Sequence, residues 1–238
     1  MKQFQSTKVT LQLMMTMIKR FLFIFLCSAL VSNLFSQRKD FGIWYGISAE
    51  HKLTKKLELD LSTCLRTFDN ASRIEEGFLE AGLQYKLTDF LSASASYRIT
   101  ENIEDDDSYY LRHKWFIDLK GSVKPGDFAF SLRLRFQERY KTYFEDEDDE
   151  IPDSHVRAKF KADYDIPSFK LNPYIFAELF CPVFRDPERF TDKSRIGAGF
   201  EYNITKKQSI ETEYMFQRDF LPKLKDLHLI SVNYNFSF

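Results

Sequence analysis

The stretch FAFSLRLRFQERY, residues 128–140, decides the fold of this chain. Apolar side chains occupy every second position from Phe128 to Phe136, and the positions between them carry alanine, serine and arginine. On a helix these charges would be spread around the axis, whereas on a strand successive side chains point to opposite faces. The stretch therefore predicts a strand with one apolar face and one cationic face.

The same alternation recurs in FLSASASYRIT (residues 90–100), HVRAKFKADYDI (155–166) and LHLISVNYNFSF (227–238). Most of the predicted strands are 10 to 13 residues long, which exceeds the norm for soluble domains and suits a tilted strand that crosses a membrane. Over the whole chain the alternation predicts eleven strands, near residues 41–50, 57–68, 77–87, 90–100, 111–123, 128–140, 154–166, 171–181, 194–204, 208–218 and 227–238.

The connections between the predicted strands alternate between short and long. The short ones are KLTKK, TDF, KPGD, PSF and TKKQ, and the long polar ones include DNASRIEEG, ENIEDDDSYY, KTYFEDEDDEIPD and FRDPERFTDK. Outer-membrane barrels have this layout, with short turns at the periplasm and long loops outside. The sequence therefore predicts an all-β fold, a transmembrane antiparallel up-and-down β-barrel of about 10–12 strands.

A soluble up-and-down barrel, such as a lipocalin-like periplasmic carrier, is the alternative architecture. In such a barrel the apolar face lines the interior and the charges face water, and periodicity alone does not decide between the two arrangements. Strand length and an aromatic content of 16% favour lipid on the outside. The many phenylalanine, leucine, isoleucine and tyrosine side chains would overfill a small lumen.

The predicted strand count is odd, whereas exported single-chain barrels have an even count. The short turn at residues 52–56 places the end of the first strand at the periplasm, so that this strand should begin outside. Two explanations are open. Either the segment from Gln37 to Asp40 threads through the lumen, or the count is wrong by one strand.

The N-terminal segment MIKRFLFIFLCSALVSNLFSQ, residues 17–37, has the order of a secretory signal. A basic pair, Lys19 and Arg20, precedes an apolar core that is too short to span a bilayer, and a polar end follows. We expect residues 1–36 to be a cleaved signal peptide with an extended n-region, or with the real start at Met17, and residues 37–238 to form the barrel. This order predicts export from the cytoplasm, and together with the predicted barrel it leads us to expect a location in the bacterial outer membrane, with outer-membrane lipid as a partner.

The composition argues against several other classes of protein. A formal net charge of −1 gives no basic surface for nucleic acid. The three cysteines lack CxxC spacing and there are only four histidines, so that no metal site and no cofactor are predicted. We expect Cys64 and Cys181 to be unpaired. Binding of a divalent cation by the acidic loops FEDEDDE and IEDDD remains an alternative.

Three segments share the order strand, short Lys/Thr or Asp turn, strand. They are GIWYGISAEHKLTKKLELDLS, AGLQYKLTDFLSASASYRI and IGAGFEYNITKKQSIETEY. With these segments, the chain from about residue 41 to residue 238 resembles an uncharacterised family of bacterial outer-membrane β-barrels, the domain of unknown function 2490. The resemblance implies the architecture and no particular chemistry. It also implies that Tyr234, Phe236 and Phe238 form the signal that the barrel-assembly machinery reads during biogenesis.

A catalytic site is not predicted, although barrel enzymes exist. An outer-membrane phospholipase-like hydrolase needs a serine, a histidine and a polar residue that orients the histidine. By parity His113 and His228 lie on the apolar face, where a histidine of the aromatic girdle is the simpler interpretation. A lipid-modifying enzyme therefore stays an alternative without assigned catalytic residues.

The charges of the polar face carry the functional hypothesis, because in a membrane barrel this face lines the lumen. The predicted basic wall consists of Arg112, Lys114, Lys120, Arg133, Arg135, Arg139, Arg157, Lys159 and Lys161. The predicted acidic wall consists of Glu58, Asp60, Glu80, Glu178, Glu201, Glu211 and Glu213. Because buried charges must be paired or hydrated, two interpretations are open: a structural barrel with a salt-bridged lumen, or a narrow passage for small anionic or zwitterionic solutes. The sequence does not indicate the oligomeric state.

Overall fold

The alternating stretches form eleven strands in the computed structural model. The structure describes residues 40–103, 108–143, 151–184, 190–221 and 224–238. No helix among these residues is long and apolar enough to cross a bilayer. The strands are β1 (Asp40–Lys52), β2 (Leu57–Phe68), β3 (Arg73–Lys86), β4 (Leu91–Ile103), β5 (Tyr109–Val123), β6 (Phe128–Lys141), β7 (Asp153–Tyr164), β8 (Leu171–Pro182), β9 (Lys193–Asn203), β10 (Gln208–Asp219) and β11 (Lys225–Ser237).

The strands close into one barrel in which each strand pairs with its neighbours in sequence and β11 returns to β1. The predicted all-β barrel is therefore confirmed, with eleven strands. Every predicted boundary agrees with the observed one within four residues. The largest difference is at β3, which begins at Arg73. A β-bulge opposite Arg66 and Thr67 lets the pairing with β2 continue up to Phe68.

The seam between β1 and β11 is the one place where the pairing departs from the predicted antiparallel pattern. The ten other neighbouring pairs are antiparallel, whereas β1 runs parallel to β11 from Asp40 opposite Leu227 to Glu50 opposite Ser237. With an odd number of alternating strands, the first and the last run in the same direction. The odd count thus needs no correction. Asp40 is the first residue of β1, and residues 37–39 lie outside the described residues.

The two rims of the barrel differ in the length of their connections. Residues 53–56, 87–90, 124–127, 165–170 and 204–207 form the short connections at one rim. The other rim, which we call the outer rim, has the two longest connections, residues 142–152 and 183–192, but also three of four or five residues. The predicted long loop DNASRIEEG is wrong, because β3 begins at Arg73 and a tight turn of residues 69–72 joins β2 to β3. Asp69, Asn70 and Ala71 of this turn have positive φ angles of 52°, 57° and 63°. The Ala71 N–H donates to the Phe41 carbonyl at 2.9 Å and so secures the start of β1.

The apolar face of the sheet lies on the outside of the barrel. Leu79, Ile117 and Ile196 are 67%, 51% and 58% exposed, whereas the inward Phe116 and Arg135 are 2% and 9% exposed. A lipocalin-like carrier requires the opposite arrangement, with its apolar face inside. The outward band instead matches the lipid-facing surface of a membrane barrel.

The two cysteines in the described part of the chain are free. By parity Cys64 lies on the inner face of β2 and Cys181 on the outer face of β8. A bridge between them is excluded because the two side chains project from opposite faces of the sheet on strands that do not pair.

Candidate functional site in the barrel lumen

The nine residues of the predicted basic wall lie on inward-facing positions of β5, β6 and β7. The strand register sets cation directly opposite cation. Lys114 is paired with Arg139, and Arg133 of β6 lies between Lys120 on one side and Lys159 on the other. Like charges directly opposite destabilise a sheet, so this wall requires compensation from elsewhere in the lumen.

The seven residues of the predicted acidic wall also face inward, but they do not form one opposing surface. Glu80 accepts a hydrogen bond from Arg98 Nε at 2.6 Å, and Glu211 lies 3.7 Å from Lys161 Nζ across the barrel. The other acidic residues form local contacts: Glu201 with the Ser209 hydroxyl, Glu213 with the Tyr174 hydroxyl, and Glu58 and Asp60 near Glu50.

Glu178 is the exception, because it lies at the edge of the basic wall. This carboxylate is 3% exposed. Its Oε1 atom accepts hydrogen bonds from Arg133 Nη2 and Arg157 Nη2, each at 2.8 Å. Its Oε2 atom lies 3.7 Å from Arg195 Nη1. One carboxylate is thus shared by three guanidinium groups, which leaves a local excess of two positive charges. We call Glu178 and these three arginines the arginine cluster.

Most other lumenal arginines have a carboxylate to themselves. Arg135 donates from Nε and Nη2 to both oxygens of Asp118, at 2.6 and 2.7 Å. Arg139 Nη2 lies 2.7 Å from Asp153. The further one-to-one pairs are Arg66 with Glu76 and Arg98 with Glu80. The ratio of three arginines to one carboxylate in the arginine cluster is therefore a local feature of the lumen.

Three lysines of the basic wall form no ion pair with any described residue, in contrast to Lys161. They are Lys114, Lys120 and Lys159. The ammonium of Lys159 lies 4.0 Å from the centroid of the Phe176 ring instead. Cation–π attraction compensates a buried cation only in part, so Lys114 and Lys159, which line the lumenal cavity, add to its positive potential.

Aromatic rings on the polar face were not predicted from the sequence. Each lies beneath a cation: Arg66 over Trp44 at 3.9 Å, Arg98 over Phe78 at 3.6 Å, Arg135 over Phe116 at 3.6 Å and Arg157 over Phe180 at 4.2 Å. Within their strands these rings have the same parity as neighbouring charges, which indicates the inner face. The sequence-based interpretation assigned aromatic residues to the lipid face as a class and therefore missed them.

Two glycines of β9 make room for rings from β8. A Cβ atom at Gly197 would lie 2.5 Å from the Phe176 ring, and one at Gly199 would lie 2.7 Å from the Tyr174 ring. The rings therefore lie close against the backbone of β9 and pack with Trp44 in a buried cluster on the inner face.

A cavity of about 1190 Å³ occupies the lumen from the outer rim to the middle of the barrel. Rim residues such as Lys141 and Leu221 line one end, and Phe176, Glu178 and Glu213 line its inner part. Among the described residues, eleven lysines and arginines and eight carboxylates line it. The described lining therefore has a net positive charge, although the whole chain has a formal charge of −1.

Three carboxylates meet near the opposite rim. Oxygens of Glu50, Glu58 and Asp60 lie within 4.8 Å of one another. From the sequence, Glu58 and Asp60 were assigned to the acidic wall, Glu50 was not named, and no metal site was predicted. A group of exposed acidic side chains is common without an ion, and we assign no role to it.

The histidines on the outer face contact tyrosine hydroxyls. Nδ1 of His113 lies 2.6 Å from the Tyr97 hydroxyl, and Nδ1 of His228 lies 2.6 Å from the Tyr214 hydroxyl. The sequence pattern indicated no partner for either ring. In the lumen, Nε2 of His155 lies 2.6 Å from Asp192. The loops FEDEDDE and IEDDD lie almost entirely outside the described residues.

The end of β11 is joined to β1. The Phe238 N–H donates to the Glu50 carbonyl at 3.1 Å, and the Phe238 ring stacks on His51 with centroids 4.7 Å apart. Tyr234 and Phe236 have outward parity on β11. The three predicted assembly-signal residues thus belong to the seam.

A closed barrel with an apolar exterior and a charged interior defines the class of this protein, an outer-membrane β-barrel. The chain belongs to the family described as a protein of unknown function (DUF2490), whose model matches residues 41–227. No curated protein matches it.

Two solved structures share the fold at low sequence identity. A NanC porin is 14% identical with a TM-score of 0.53, over 84% of this chain and 99% of the porin chain. LpxR from Salmonella typhimurium is 11% identical with a TM-score of 0.50, over 80% of this chain and 87% of its own. The likeness shows that this chain shares the fold of these two barrels.

Proposed function

We propose that this protein is a narrow outer-membrane passage that admits small anionic solutes into its lumen. The observation that carries the proposal is the positively charged cavity of about 1190 Å³ that begins at the outer rim. A field of one sign in a low-dielectric passage concentrates ions of the opposite sign. Such a lumen favours anions over neutral solutes of the same size and over cations.

The alternative of a purely structural barrel predicts charges that neutralise one another. In the arginine cluster one carboxylate serves three arginines, and Lys114 and Lys159 form no ion pair with any described residue. Keeping unneutralised cations out of bulk water costs free energy, and mobile anions in a hydrated lumen offset that cost. This excess favours a passage over a structural barrel. The NanC porin, which has the same fold, is named as a porin.

We propose no catalytic role. The two histidines that a lipid-modifying enzyme would use on the outer face contact tyrosine hydroxyls. A lipase assay on wild type and on His113→Ala and His228→Ala tests this. Hydrolysis that is lost in either variant would overturn the assignment.

Export and assembly complete the proposal. Residues 1–36 would direct the chain through the inner membrane and be cleaved, and the barrel-assembly machinery would read Tyr234, Phe236 and Phe238. N-terminal sequencing of the protein purified from outer membranes tests the cleavage. A mature chain that still begins at Met1 or Met17 would contradict it.

Planar-bilayer recording tests the passage. We expect discrete conductance steps, and in a potassium chloride gradient a reversal potential of the sign that indicates anion preference. The Lys114→Gln/Lys159→Gln double variant should shift this potential toward that of a non-selective pore, because it removes two lumenal charges without breaking an ion pair between described residues. Lys55→Gln, in a short exposed turn, is the matched control. An intact folded barrel without conductance steps would refute the passage.

A further inference from the structure

The arginine cluster is held in place by contacts that do not neutralise it. Arg157 Nη1 donates to Gln137 Oε1 at 3.0 Å, and Arg195 Nε donates to Gln217 Oε1 at 2.7 Å. Amide oxygens fix a guanidinium without contributing a negative charge. The geometry of the cluster is therefore preorganised while its net charge of two remains.

Aromatic rings support the same groups. The Phe180 ring lies beneath Arg157 at 4.2 Å and beneath Arg195 at 4.8 Å, and Arg195 also lies 5.1 Å from the centroid of Trp44. Rings restrict the arginine rotamers and limit competing water on one side. Planar guanidinium groups that are fixed in this way favour carboxylate and phosphate oxygens, which they can contact through two hydrogen bonds.

The cluster is accessible from the outer rim. All three arginines and Glu178 line the same cavity as the rim residue Lys141. Typical sites for small ligands have volumes of roughly 300–1,000 Å³. The cavity therefore has room for a small organic anion together with its remaining water.

We infer that Arg133, Arg157 and Arg195 form a binding site for a small solute that carries a carboxylate or phosphate group, with Glu178 limiting the affinity. The inference deepens the proposed function and rests on it, because the solute must enter the lumen from the outer rim. A solute on its way through a passage must be released, and a carboxylate that competes for the same arginines keeps binding moderate.

Trp44 offers a local readout. The chain has two tryptophans, and Trp115 lies on the outer face, 5.5 Å from Phe136. In a Trp115→Phe background, the fluorescence of the folded barrel in detergent reports Trp44 alone. We expect succinate to change it saturably and inorganic phosphate to compete. Succinamide, which has the same carbon chain without charge, should have no effect.

Two variants separate an electrostatic site from a structural ion pair. Glu178→Gln and Arg195→Gln both break the contact between these two residues, but they change the charge of the cluster in opposite directions. Removing one charge within a few ångströms of a bound anion should change its affinity by roughly tenfold. We expect Glu178→Gln to tighten succinate binding and Arg195→Gln to weaken it, each by about this factor.

Lys206→Gln, in the short turn after β9, is the control and should bind succinate like the parent. Heat-modifiable migration on a denaturing gel identifies the folded fraction of every variant, and affinities refer to that fraction. Opposite shifts in the two cluster variants support the site. Shifts in the same direction, a response to succinamide, or no saturable response would overturn it.

Failure of this site is distinguishable from failure of the passage. Succinate binding in a barrel that shows no conductance leaves the site standing and refutes the passage. An anion-selective current without a succinate response overturns the site and leaves the passage intact.

Discussion

The basic wall of β5–β7 and the seam between β1 and β11 face the same lumen with opposite chemistry. On the wall, arginines and lysines lie opposite one another and need carboxylates and rings around them. On the seam, glycine, serine and asparagine lie opposite one another, and Asn233 donates to the Ser48 hydroxyl at 3.1 Å. The wall is sensitive to the loss of a charge, whereas the seam is sensitive to added volume.

The largest effect is expected on the wall, from Asp118→Asn. This change leaves the buried Arg135 guanidinium without its two-bond partner, which should lower the free energy of unfolding by about 3 kcal/mol. Urea unfolding of the barrel in detergent measures it. The Asp118→Asn/Arg135→Gln double variant should recover most of the loss. If the double variant is as unstable as the single one, the effect is not due to the unpaired charge.

The next effect is expected at the seam, from Gly42→Ala. A Cβ atom there would lie 3.0 Å from Leu229 of β11 and would overlap the Thr67 backbone carbonyl of β2, and backbone moves less readily than a side chain. Overpacking of this kind should destabilise the barrel by about 2 kcal/mol. Gly121→Ala, on the outer face of β5, is the control, since its nearest neighbour is the Phe90 carbonyl at 4.0 Å, which leaves room for an added methyl group. Equal loss in both variants, by urea unfolding, would contradict overpacking at Gly42 as the cause.

Deletion of Phe238 separates the stability of the seam from assembly. It removes the backbone hydrogen bond to Glu50 and the stacking on His51, together worth about 1 kcal/mol. If the residue is also an assembly signal, the amount at the cell surface should fall several-fold more than in His51→Ala, which removes the stacking and the contact of His51 Nδ1 with the Phe238 carbonyl but keeps Phe238. Surface labelling measures both. Equal surface levels in the two variants would exclude a role as signal.

The smallest effect is expected at the rim of the wall, where Lys124 Nζ lies 2.8 Å from Asp165. The hydrogen bond from Lys124 to the Asp165 carboxylate raises the pKa of the Lys124 ammonium above its ordinary value. The contribution of the pair to stability is therefore fully present below the ordinary lysine pKa, and it is lost as pH rises through the raised value. Asp165→Asn should return the Lys124 pKa to normal in a side-chain NMR titration without a measurable change in stability. A shift in the urea midpoint would show that the water-exposed ion pair contributes measurably to the stability of the barrel.

The local alternation of apolar and polar residues predicted most of the fold. Alternation around residues such as Leu132 and Arg133 identifies both strand and face, because side-chain direction on a strand is set within two residues. The parallel seam was not predicted, since the direction of β11 relative to β1 depends on the total count of strands and on closure. Each strand was correctly placed, yet no single strand contains that information.

The arginine cluster was not predicted, because the register between neighbouring strands brings its residues together. Glu178 lies directly opposite Lys159 of β7 and Arg195 of β9, and these residues are far apart in sequence. Glu178 was therefore predicted on an acidic wall rather than among the arginines. The rings of Phe176 and Phe180 were assigned by residue type, although their parity with Glu178 placed them inside.

The parallel seam also determines where the barrel can be labelled. Because β1 and β11 run in the same direction, the chain enters the barrel at Asp40 on the outer rim and leaves it after Ser237 on the rim of short turns. An epitope inserted directly before Asp40 and one fused after Phe238 should face opposite compartments. Antibody access in intact cells would then distinguish the two positions, and this asymmetry makes the protein a two-sided scaffold for display and tethering.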